Sequence, residues 1–501
     1  MWMKPAAMSN SIRAEAKPMD DHPTTSLPED EGFINTSVSL MSPKKDAIKV
    51  GDMLHYIVTC RRKDGSLLHS GGGFWYATLD SKANPKASTA GKIEDHNNGT
   101  YSIYIYAGWA GEASLSVRRV LSRQAVDFML NTIWSADDRV VWSGFFNVPG
   151  SKNKPSGLCR LTRHGNWTGK CVYANKNALG KTVFLCEKPR GVDCGNLYGT
   201  KSNGRKISAR VRELARGKEH LFIKPIQLDE PPVKISGAGA VAAPNLPQCL
   251  PDMKLPPSQG YWLQDKWQSL LCQITDWTEK AKLTTCLQNR NILLFGDSTT
   301  RQWFVHILDL MGRKFVARKG EPGFFWRRYY EDIDMSITIS FPKQLVGSAT
   351  VILDTVHYEH DLIDELNNTR CNYVIMVSPW AHFSQWTRES YTERTELLRE
   401  ALIRFRRRCP DAKIVLKGPH PRDQKNFDAL IYSSDVILWG IGEINQRLLS
   451  GIGVWFLPIW DMNLAFPVRK TIHMPVTVIH EEVKMFMSYV CGDSKMPALK
   501  V

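Results

Sequence analysis

Short runs in which apolar and polar residues alternate fill the chain from Ser37 to about Val148. Turns rich in Gly, Asn and Asp separate these runs, which are MLHYIVTC, GFWYATL, TYSIYIYAGW, EASLSVRRV and RVVWSGFF. Alternation with a period of two predicts strands that bury one face. Strands at this spacing indicate an antiparallel β-sandwich of the immunoglobulin type, and we assign residues 31–150 to it.

The pattern changes after about Gly260 to continuous apolar runs: NILLFG, ATVILD, YVIMVS, KIVLKG and GVWFLPIW. Amphipathic stretches such as TERTELLREALIRFRRR separate them. Buried strands that alternate with helices predict an α/β domain with a parallel sheet, which we assign to residues 261–501. Ligands of such sheets bind at the carboxyl ends of the strands, so the chemistry is expected there.

The segment between these two regions has little periodic hydrophobicity. We interpret residues 151–227 as a cysteine-rich module, in which disulfides replace a large core. Its four cysteines allow three pairings, and they lack the close Cys pairs of zinc sites, so no metal is expected. Residues 228–260 have the Pro, Ala and Gly of a linker, and the polar residues 1–30 are typical of a disordered lead-in. The candidate disulfide residues are Cys159, Cys171, Cys186 and Cys194.

Composition adds a charge argument to this multidomain picture. The chain has 501 residues, 43% of them hydrophobic, and a net charge of +15, which favours polyanionic partners such as glycans. Binding to nucleic acid is supported by the net charge alone, so nucleic acid is not predicted as a partner. Nucleotide-binding fingerprints are absent from the sequence, and no apolar run reaches the ~18 residues of a transmembrane segment.

Cysteines and glycosylation motifs point to the secretory pathway. The chain has eleven cysteines and four N-x-S/T motifs, although the first residues lack the apolar core of a signal peptide. We therefore expect a secreted or Golgi-lumen protein whose targeting segment is missing or altered in this sequence. The candidate glycosylation sites are Asn35, Asn98, Asn166 and Asn367.

A Gly-Asp-Ser motif follows the first predicted strand of the α/β domain. Gly296 permits a tight turn, Asp297 can bind the loop backbone, and Ser298 precedes the predicted helix 299–311. A serine at such a junction lies where backbone N–H groups and the helix dipole stabilise an oxyanion. The alternative is that Ser298 is only the N-cap of the helix.

Two further groups complete a candidate relay. Asp461 follows the strand GVWFLPIW, and His473 precedes the last helix. In a serine hydrolase the histidine takes the serine proton and the carboxylate orients the imidazole, so Ser298, Asp461 and His473 are the predicted catalytic residues.

Four segments together resemble the neurexophilin and PC-esterase domain family from about residue 31 to the C-terminus: GDSTTRQW, the ending WDM…IHMP…MFMSYVC, HNNGTYSIYIYAGWAGEASLSV and the cysteine-rich middle. The resemblance implies an immunoglobulin-like neurexophilin module, a cysteine-rich module and an SGNH-hydrolase-like esterase domain. It also implies a secreted or Golgi glycoprotein that adds or removes acyl groups, typically acetyl, on glycans, including sialic acid.

The family pattern matches at Ser298 and His473 and departs at two other positions. Lys470 stands where the pattern has the aspartate three residues before the histidine, and Asp461 is the expected replacement. Trp380 stands where a glycine oxyanion donor is expected, so His382 or the Ala381 N–H is the substitute donor. Gly296, Asp297, Arg301 and His382 form the predicted oxyanion and substrate-binding set. Arg301 is expected to pair with a substrate carboxylate, or alternatively with a neighbouring acidic side chain.

Two functions follow from these residues. The first is an O-acetylesterase or O-acetyltransferase that works through an acyl-enzyme; hydrolysis needs no cofactor, and transfer needs an acetyl donor such as acetyl-CoA. The second is a catalytically impaired secreted glycoprotein that binds a cell-surface receptor through its neurexophilin-like module.

Overall fold

The computed structural model describes residues 35–492, except 82, 84–86, 151–153, 165, 223–225, 238–244, 320, 322–324, 341–349, 354–357 and 425. The predicted lead-in, residues 1–30, lies outside the described residues. The strands are β1 (Asn35–Ser42), β2 (Met53–Arg61), β3 (Phe74–Ser81), β4 (Ser88–Ala90), β5 (Lys92–Asp95), β6 (Thr100–Tyr106), β7 (Gly111–Leu121), β8 (Val140–Phe146), β9 (Ser156–Thr162), β10 (Lys170–Ala174), β11 (Val183–Glu187), β12 (Leu197–Ile207), β13 (Ile226–Asp229), β14 (Val233–Ile235), β15 (Gly260–Leu263), β16 (Lys266–Ser269), β17 (Asn291–Phe295), β18 (Phe325–Tyr330), β19 (Met335–Ser340), β20 (Val351–Ile352), β21 (Tyr373–Val377), β22 (Lys413–Lys417) and β23 (Val454–Leu457).

The helices are α1 (Arg123–Asp127), α2 (Lys176–Leu179), α3 (Ala209–Ala215), α4 (Lys280–Leu287), α5 (Ser298–Leu310), α6 (Glu359–Asp364), α7 (Arg388–Arg408), α8 (Phe427–Tyr432), α9 (Asp435–Leu449), α10 (Trp460–Ala465) and α11 (Val476–Cys491). A π-helical turn over Phe128–Ile133 continues α1.

Two antiparallel sheets form the predicted β-sandwich. One has the order β1-β2-β6-β5, and the other has the order β13-β7-β3-β4-β15-β16, with β14 also paired to β7. Apolar side chains from both sheets pack in one core, among them Tyr56, Val58 and Ile103 of the first and Leu79 and Val117 of the second. The alternation along each strand places these side chains on the inner face, as the period predicts.

The sandwich uses strands from outside its predicted range. β13 pairs with β7 and spans the start of the predicted linker 228–260, and β14 lies wholly inside that linker. β15 then pairs with β4, which places residues of the predicted C-terminal domain at the edge of the sandwich. These strands are only three or four residues long, so no period could mark them, and the structure corrects the linker prediction.

The cysteine-rich segment folds as a third sheet, with the order β10-β11-β9-β8-β12-β20. Its four cysteines pair as Cys159–Cys186 and Cys171–Cys194, which confirms the predicted disulfides and selects one of three pairings. The run ATVILD contributes β20, which pairs antiparallel with β12 and is therefore not a strand of the parallel sheet. Likewise β8, predicted to be in the sandwich, belongs to this third sheet.

The C-terminal sheet has the order β18-β19-β17-β21-β22-β23, and all neighbours in it are parallel except β18 and β19. Side chains of β17 alternate between two buried faces: Leu293 and Phe295 pack with α7, whereas Ile292 and Leu294 pack with α5 and α11. Because both faces are covered, the strand is apolar without alternation. Three further disulfides are Cys249–Cys272, Cys286–Cys491 and Cys371–Cys409.

Candidate active site

The Gly-Asp-Ser motif lies where the connections of the parallel sheet diverge. From β17 the chain continues to β19 on one side, and it returns to β21 on the other side of β17. Helices that cross to opposite sides leave a crevice at the carboxyl ends of such strands. Ser298 follows β17 directly at this point, so the structure places it where the sequence pattern predicted chemistry.

Gly296 makes the turn between β17 and α5. A Cβ atom at this position would lie 2.1 Å from Thr300 Oγ1 and 3.0 Å from Ser378 Cβ, so a larger residue does not fit. The Gly296 N–H donates to the Ser340 carbonyl at 3.0 Å. That amide is therefore engaged in the sheet, and the predicted oxyanion role of Gly296 is corrected to a purely steric one.

Asp297, rather than Ser298, is the N-cap of α5. Its Oδ1 accepts hydrogen bonds from the Thr299 N–H and the Thr299 hydroxyl, both at 2.8 Å. Its Oδ2 is buried, with no hydrogen-bond partner among the described residues. Ser298 is the first residue of the helix, and the helix itself does not use the N–H groups of its first turn. The Ser298 amide is therefore a better oxyanion donor than the one predicted.

Ser298 and His473 lie in direct contact. The Ser298 Oγ and the His473 Nε2 are 2.7 Å apart, although 175 residues separate them in the chain. Ser298 is half-buried and His473 is exposed, so the pair opens to solvent. Gln302 on α5 donates to the Met474 carbonyl at 3.0 Å and ties the serine helix to the histidine loop.

Charge around His473 favours the neutral imidazole. Desolvation lowers the pKa of His473 below its ordinary value of 6.5, Asp297 acts in the opposite direction, and the cations Arg301, Arg422 and Lys417 lower it further. A neutral imidazole can accept the serine proton, which a general base must do. Asp297 is the one carboxylate among the four side chains that shift the pKa of His473.

Asp461 is not beside His473. β23 ends at Leu457, and Asp461 lies in the first turn of α10, where it lines a cavity with aromatic residues of the β-sandwich. Burial raises its pKa to about 7, and a hydrogen bond from the Gln259 backbone opposes the shift. Among the described residues, no carboxylate is hydrogen-bonded to the imidazole, so the structure does not bring the predicted relay of three together.

Lys470 points its ammonium to backbone carbonyls. The Lys470 Nζ donates to the carbonyls of Phe466 and Val468, and its own amide donates to Asp423. Burial lowers the pKa of Lys470 to about 8. The lysine therefore stabilises the loop that contains His473. The family pattern has a carboxylate at position 470 instead.

A buried lysine beside the motif was missed by the sequence reasoning. Lys417 is 1% exposed at the end of β22, and its Nζ lies 3.3 Å from Thr299 Oγ1. It also faces the rings of Trp303 and Trp380, at 5.4 and 5.8 Å. A lysine directly after the apolar run Ile-Val-Leu was the available signal, because lysine is rarely fully buried unless it is paired.

The two remaining substrate candidates lie at the rim. Arg301 is exposed one turn into α5, and His382 is half-buried on the loop that follows β21. Trp380, on the same loop, is fully buried against His420, with ring centres 4.8 Å apart. The tryptophan is thus a core residue, and its backbone N–H, the group that a glycine would offer, donates to the Ser378 carbonyl at 3.1 Å.

The four glycosylation candidates are all exposed. In one of them the Asn98 Oδ1 accepts from both the amide and the hydroxyl of Thr100, at 3.0 and 2.7 Å. Within the described ranges, no group of three or more His, Cys, Asp or Glu side chains could hold a metal ion. No helix in that part of the chain is long and apolar enough to span a bilayer.

Residues 267–491 match the family described as NXPE family member 4-like, C-terminal domain. The matched range includes Ser298, His473 and the whole parallel sheet. It begins in β16, so most strands of the sandwich and of the cysteine-rich sheet precede it, whereas β20 lies within it.

Proposed function

The chain belongs to the NXPE family, and from that premise we propose that it transfers or hydrolyses O-acyl groups, typically acetyl, on glycans. The observation that carries the proposal is the 2.7 Å contact between the Ser298 Oγ and the His473 Nε2. A hydroxyl and an imidazole at this distance are the activated nucleophile of serine acyl transfer. Their position at the carboxyl edge of a parallel sheet supports the assignment.

The first half of the reaction forms an acyl-enzyme. The Ser298 Oγ attacks the acyl carbonyl while its proton moves to the His473 Nε2. The tetrahedral oxyanion lies at the N-terminus of α5, where the Ser298 N–H and the helix dipole stabilise it. His473 then returns the proton to the leaving oxygen of a sugar or, in a transferase, to the leaving thiolate of a donor such as acetyl-CoA.

The second half restores the serine. Water or a sugar hydroxyl gives its proton to His473 and attacks the acyl-enzyme, and the proton returns to Ser298. Asp297 stabilises the imidazolium of both half-reactions by charge, without a hydrogen bond to the ring. Arg301 and Arg422 add positive charge around this site, which suits an acidic glycan.

The test measures acyl release and acyl transfer on O-acetylated and unacetylated sialoglycans, with the full chain secreted behind an added signal peptide. Ser298→Ala is expected to lower turnover by about 10³-fold or more. The matched control is Ser450→Ala, an exposed serine of the same domain that bonds only to the Gln446 carbonyl. Ser298→Ala at wild-type turnover would remove the serine from the mechanism.

A second function has its own supporting observation. The described structure holds no carboxylate on the imidazole, and Lys470 occupies the position of the family aspartate. Those features favour a catalytically impaired protein that binds a cell-surface receptor through its sandwich. A folded wild type that releases and transfers no acyl group, yet binds cells through residues 35–235, would establish this alternative.

The compartment is part of the proposal. Five disulfides are compatible with a lumenal or secreted protein, because cytosolic thiols stay reduced. We place the chain in the secretory pathway, where its glycan substrates are also found. Glycans on the four exposed Asn-x-Ser/Thr sites, detected by a mass shift on enzymatic removal, are the expected result.

A further inference from the structure

A cavity separate from the Ser298–His473 pair lies between the β-sandwich and the C-terminal domain. Phe74 and Tyr76 of β3 line it from the sandwich, and Trp439 of α9 and Trp460 of α10 line it from the other side. Asp461 and Gln259 also line the cavity. We call it the Asp461 cavity. Its volume is about 70 Å³.

The four aromatic rings contact one another in a cycle, which we call the aromatic box. Neighbouring ring centres are 5.4 Å apart for Phe74–Tyr76, 6.2 Å for Phe74–Trp439, 5.0 Å for Trp439–Trp460 and 6.4 Å for Tyr76–Trp460. The angles between neighbouring rings are 68°, 69°, 85° and 57°, so adjacent rings stand as walls rather than stacking. A cation that lies over the face of such a ring is attracted by its π-electrons.

Two polar groups of the cavity are oxygen acceptors. The Gln259 side chain is 7% exposed, and its Oε1 is buried with no hydrogen-bond partner among the described residues. The Asp461 carboxylate accepts a hydrogen bond from the Gln259 backbone. The cationic lining residue, Lys92, has its Nζ 4.0 Å from the Glu94 Oε2. A buried acceptor without a donor destabilises the folded protein, and a ligand N–H group would offset that cost.

We propose that the Asp461 cavity binds a small protonated alkylamine. The ammonium group donates hydrogen bonds to Asp461 and to the Gln259 Oε1, and its alkyl part packs against the aromatic box. The ligand needs N–H groups as well as charge, which distinguishes an amine from a quaternary ammonium ion. This inference does not depend on the proposed acyl transfer, because none of its residues contacts Ser298 or His473 in the described structure.

Two further observations support the assignment. Burial raises the pKa of Asp461 to about 7, so a neighbouring cation would favour the ionised carboxylate that the empty cavity disfavours. The volume of about 70 Å³ is half of the ~150 Å³ that holds a benzene molecule in another protein. A ligand of about four non-hydrogen atoms therefore fits, such as n-propylammonium.

The experiment measures binding of n-propylammonium to the full chain by saturation-transfer NMR and by calorimetry at pH 8. A dissociation constant on the order of 1 mM is expected for so small a ligand. Asp461→Asn should weaken binding at least tenfold, and Gln259→Leu about fivefold. Asp138→Asn is the matched control, because burial also raises the pKa of that carboxyl but it lies outside the cavity.

Two other probes separate the contributions. Propan-1-ol has the same size without charge, and tetramethylammonium has charge without N–H groups; both should bind at least fivefold more weakly than n-propylammonium. Equal binding of propan-1-ol would overturn the proposal in favour of a purely apolar cavity.

Wild-type binding retained in Asp461→Asn would overturn the proposal too, as would a wild type that binds no amine. Thermal unfolding checks that each variant is folded, and Trp439→Phe, which keeps an aromatic wall, should lower the affinity by about twofold if the asparagine variant misfolds. Ser298→Ala must bind the amine like wild type, so failure here and failure of the acyl-transfer proposal are distinguishable.

Discussion

The Ser298–His473 pair and the Asp461 cavity lie after two strands of one parallel sheet, β17 and β23, but their surroundings differ. Cations surround the pair, which opens to solvent, whereas aromatic rings and oxygen acceptors line the cavity. Desolvation lowers the pKa of His473 and raises the pKa of Asp461, and in each case it favours the neutral group. A neutral imidazole is ready to act as a base, whereas a neutral carboxyl in the cavity needs a cation to ionise.

The comparison also separates two residues that the sequence had combined. His473 reaches Ser298 through the loop after α10, whereas Asp461 is held at the start of α10 by the aromatic residues around it. Asp461 and His473 are separated only by α10 and the loop after it, yet their side chains lie at different sites. Chain order alone therefore does not establish a relay.

The largest expected effect on turnover concerns the Ser298–His473 pair. His473→Ala should lower turnover by about 10³-fold, because the serine loses its proton acceptor. The double variant Ser298→Ala/His473→Ala should be no slower than Ser298→Ala, since the two residues act as one unit. Steady-state acyl release measures both. Losses that multiply in the double variant would show that the two side chains act separately.

A smaller effect identifies the carboxylate that serves the pair. Asp297→Asn keeps an N-cap oxygen for the Thr299 amide but removes the charge that favours the imidazolium. Turnover should fall by about tenfold, measured beside Asp309→Asn, an exposed carboxylate on the same helix, as the control. A larger loss in Asp461→Asn than in Asp297→Asn would return the relay role to Asp461.

The pH dependence of kcat tests the charge around His473. The base must be neutral, and desolvation and cations hold its pKa below 6.5, so kcat should fall toward acidic pH with its midpoint below pH 6.5. Arg301→Gln removes one of the cations that lower the pKa, so the acidic limb of the profile should move to higher pH by a few tenths of a unit. An acidic limb centred above pH 6.5 in the wild type would contradict this description.

The smallest effect concerns stability at the cavity. The folded pKa of Asp461 is about 7, above its ordinary 3.8, so unfolding releases protons and stability falls as pH rises from about 4 to 7. Asp461→Asn lacks this loss, and without amine its melting temperature should exceed that of wild type by about 2 °C more at pH 8 than at pH 4. Differential scanning calorimetry at both pH values measures the difference. The same offset at both would show that Asp461 is already ionised.

Much of the fold was predictable because the signals are local. The period of two along MLHYIVTC and the apolar run NILLF each appear as strands with nearly the predicted bounds, β2 and β17. The helix over 299–311 buries Trp303, Phe304 and Ile307 on one face, as its spacing predicts. Such patterns reflect which face of an element is buried, and a short stretch of sequence contains that information.

The linker, by contrast, shows where local signals fail. β13 and β14 have three or four residues each, and pairing with β7, more than 100 positions earlier in the chain, makes them strands. The run ATVILD has the composition of a buried parallel strand, yet tertiary context gives it to the cysteine-rich sheet as β20. Whether a short segment forms a strand therefore depends on the strand with which it pairs.

The sequence by itself determined the sandwich, the parallel sheet, the disulfide residues and the Ser298 and His473 positions, because hydrophobic period, cysteine count and turn chemistry are properties of neighbouring residues. Only the tertiary structure decided which cysteines pair, that the Gly296 amide is engaged in the sheet and that Asp461 lies away from the imidazole. Those contacts join residues up to about 200 positions apart, and their distances depend on how all the intervening elements pack. A side chain's charge, too, takes its role from the groups that packing places around it, as His473 and Asp461 show.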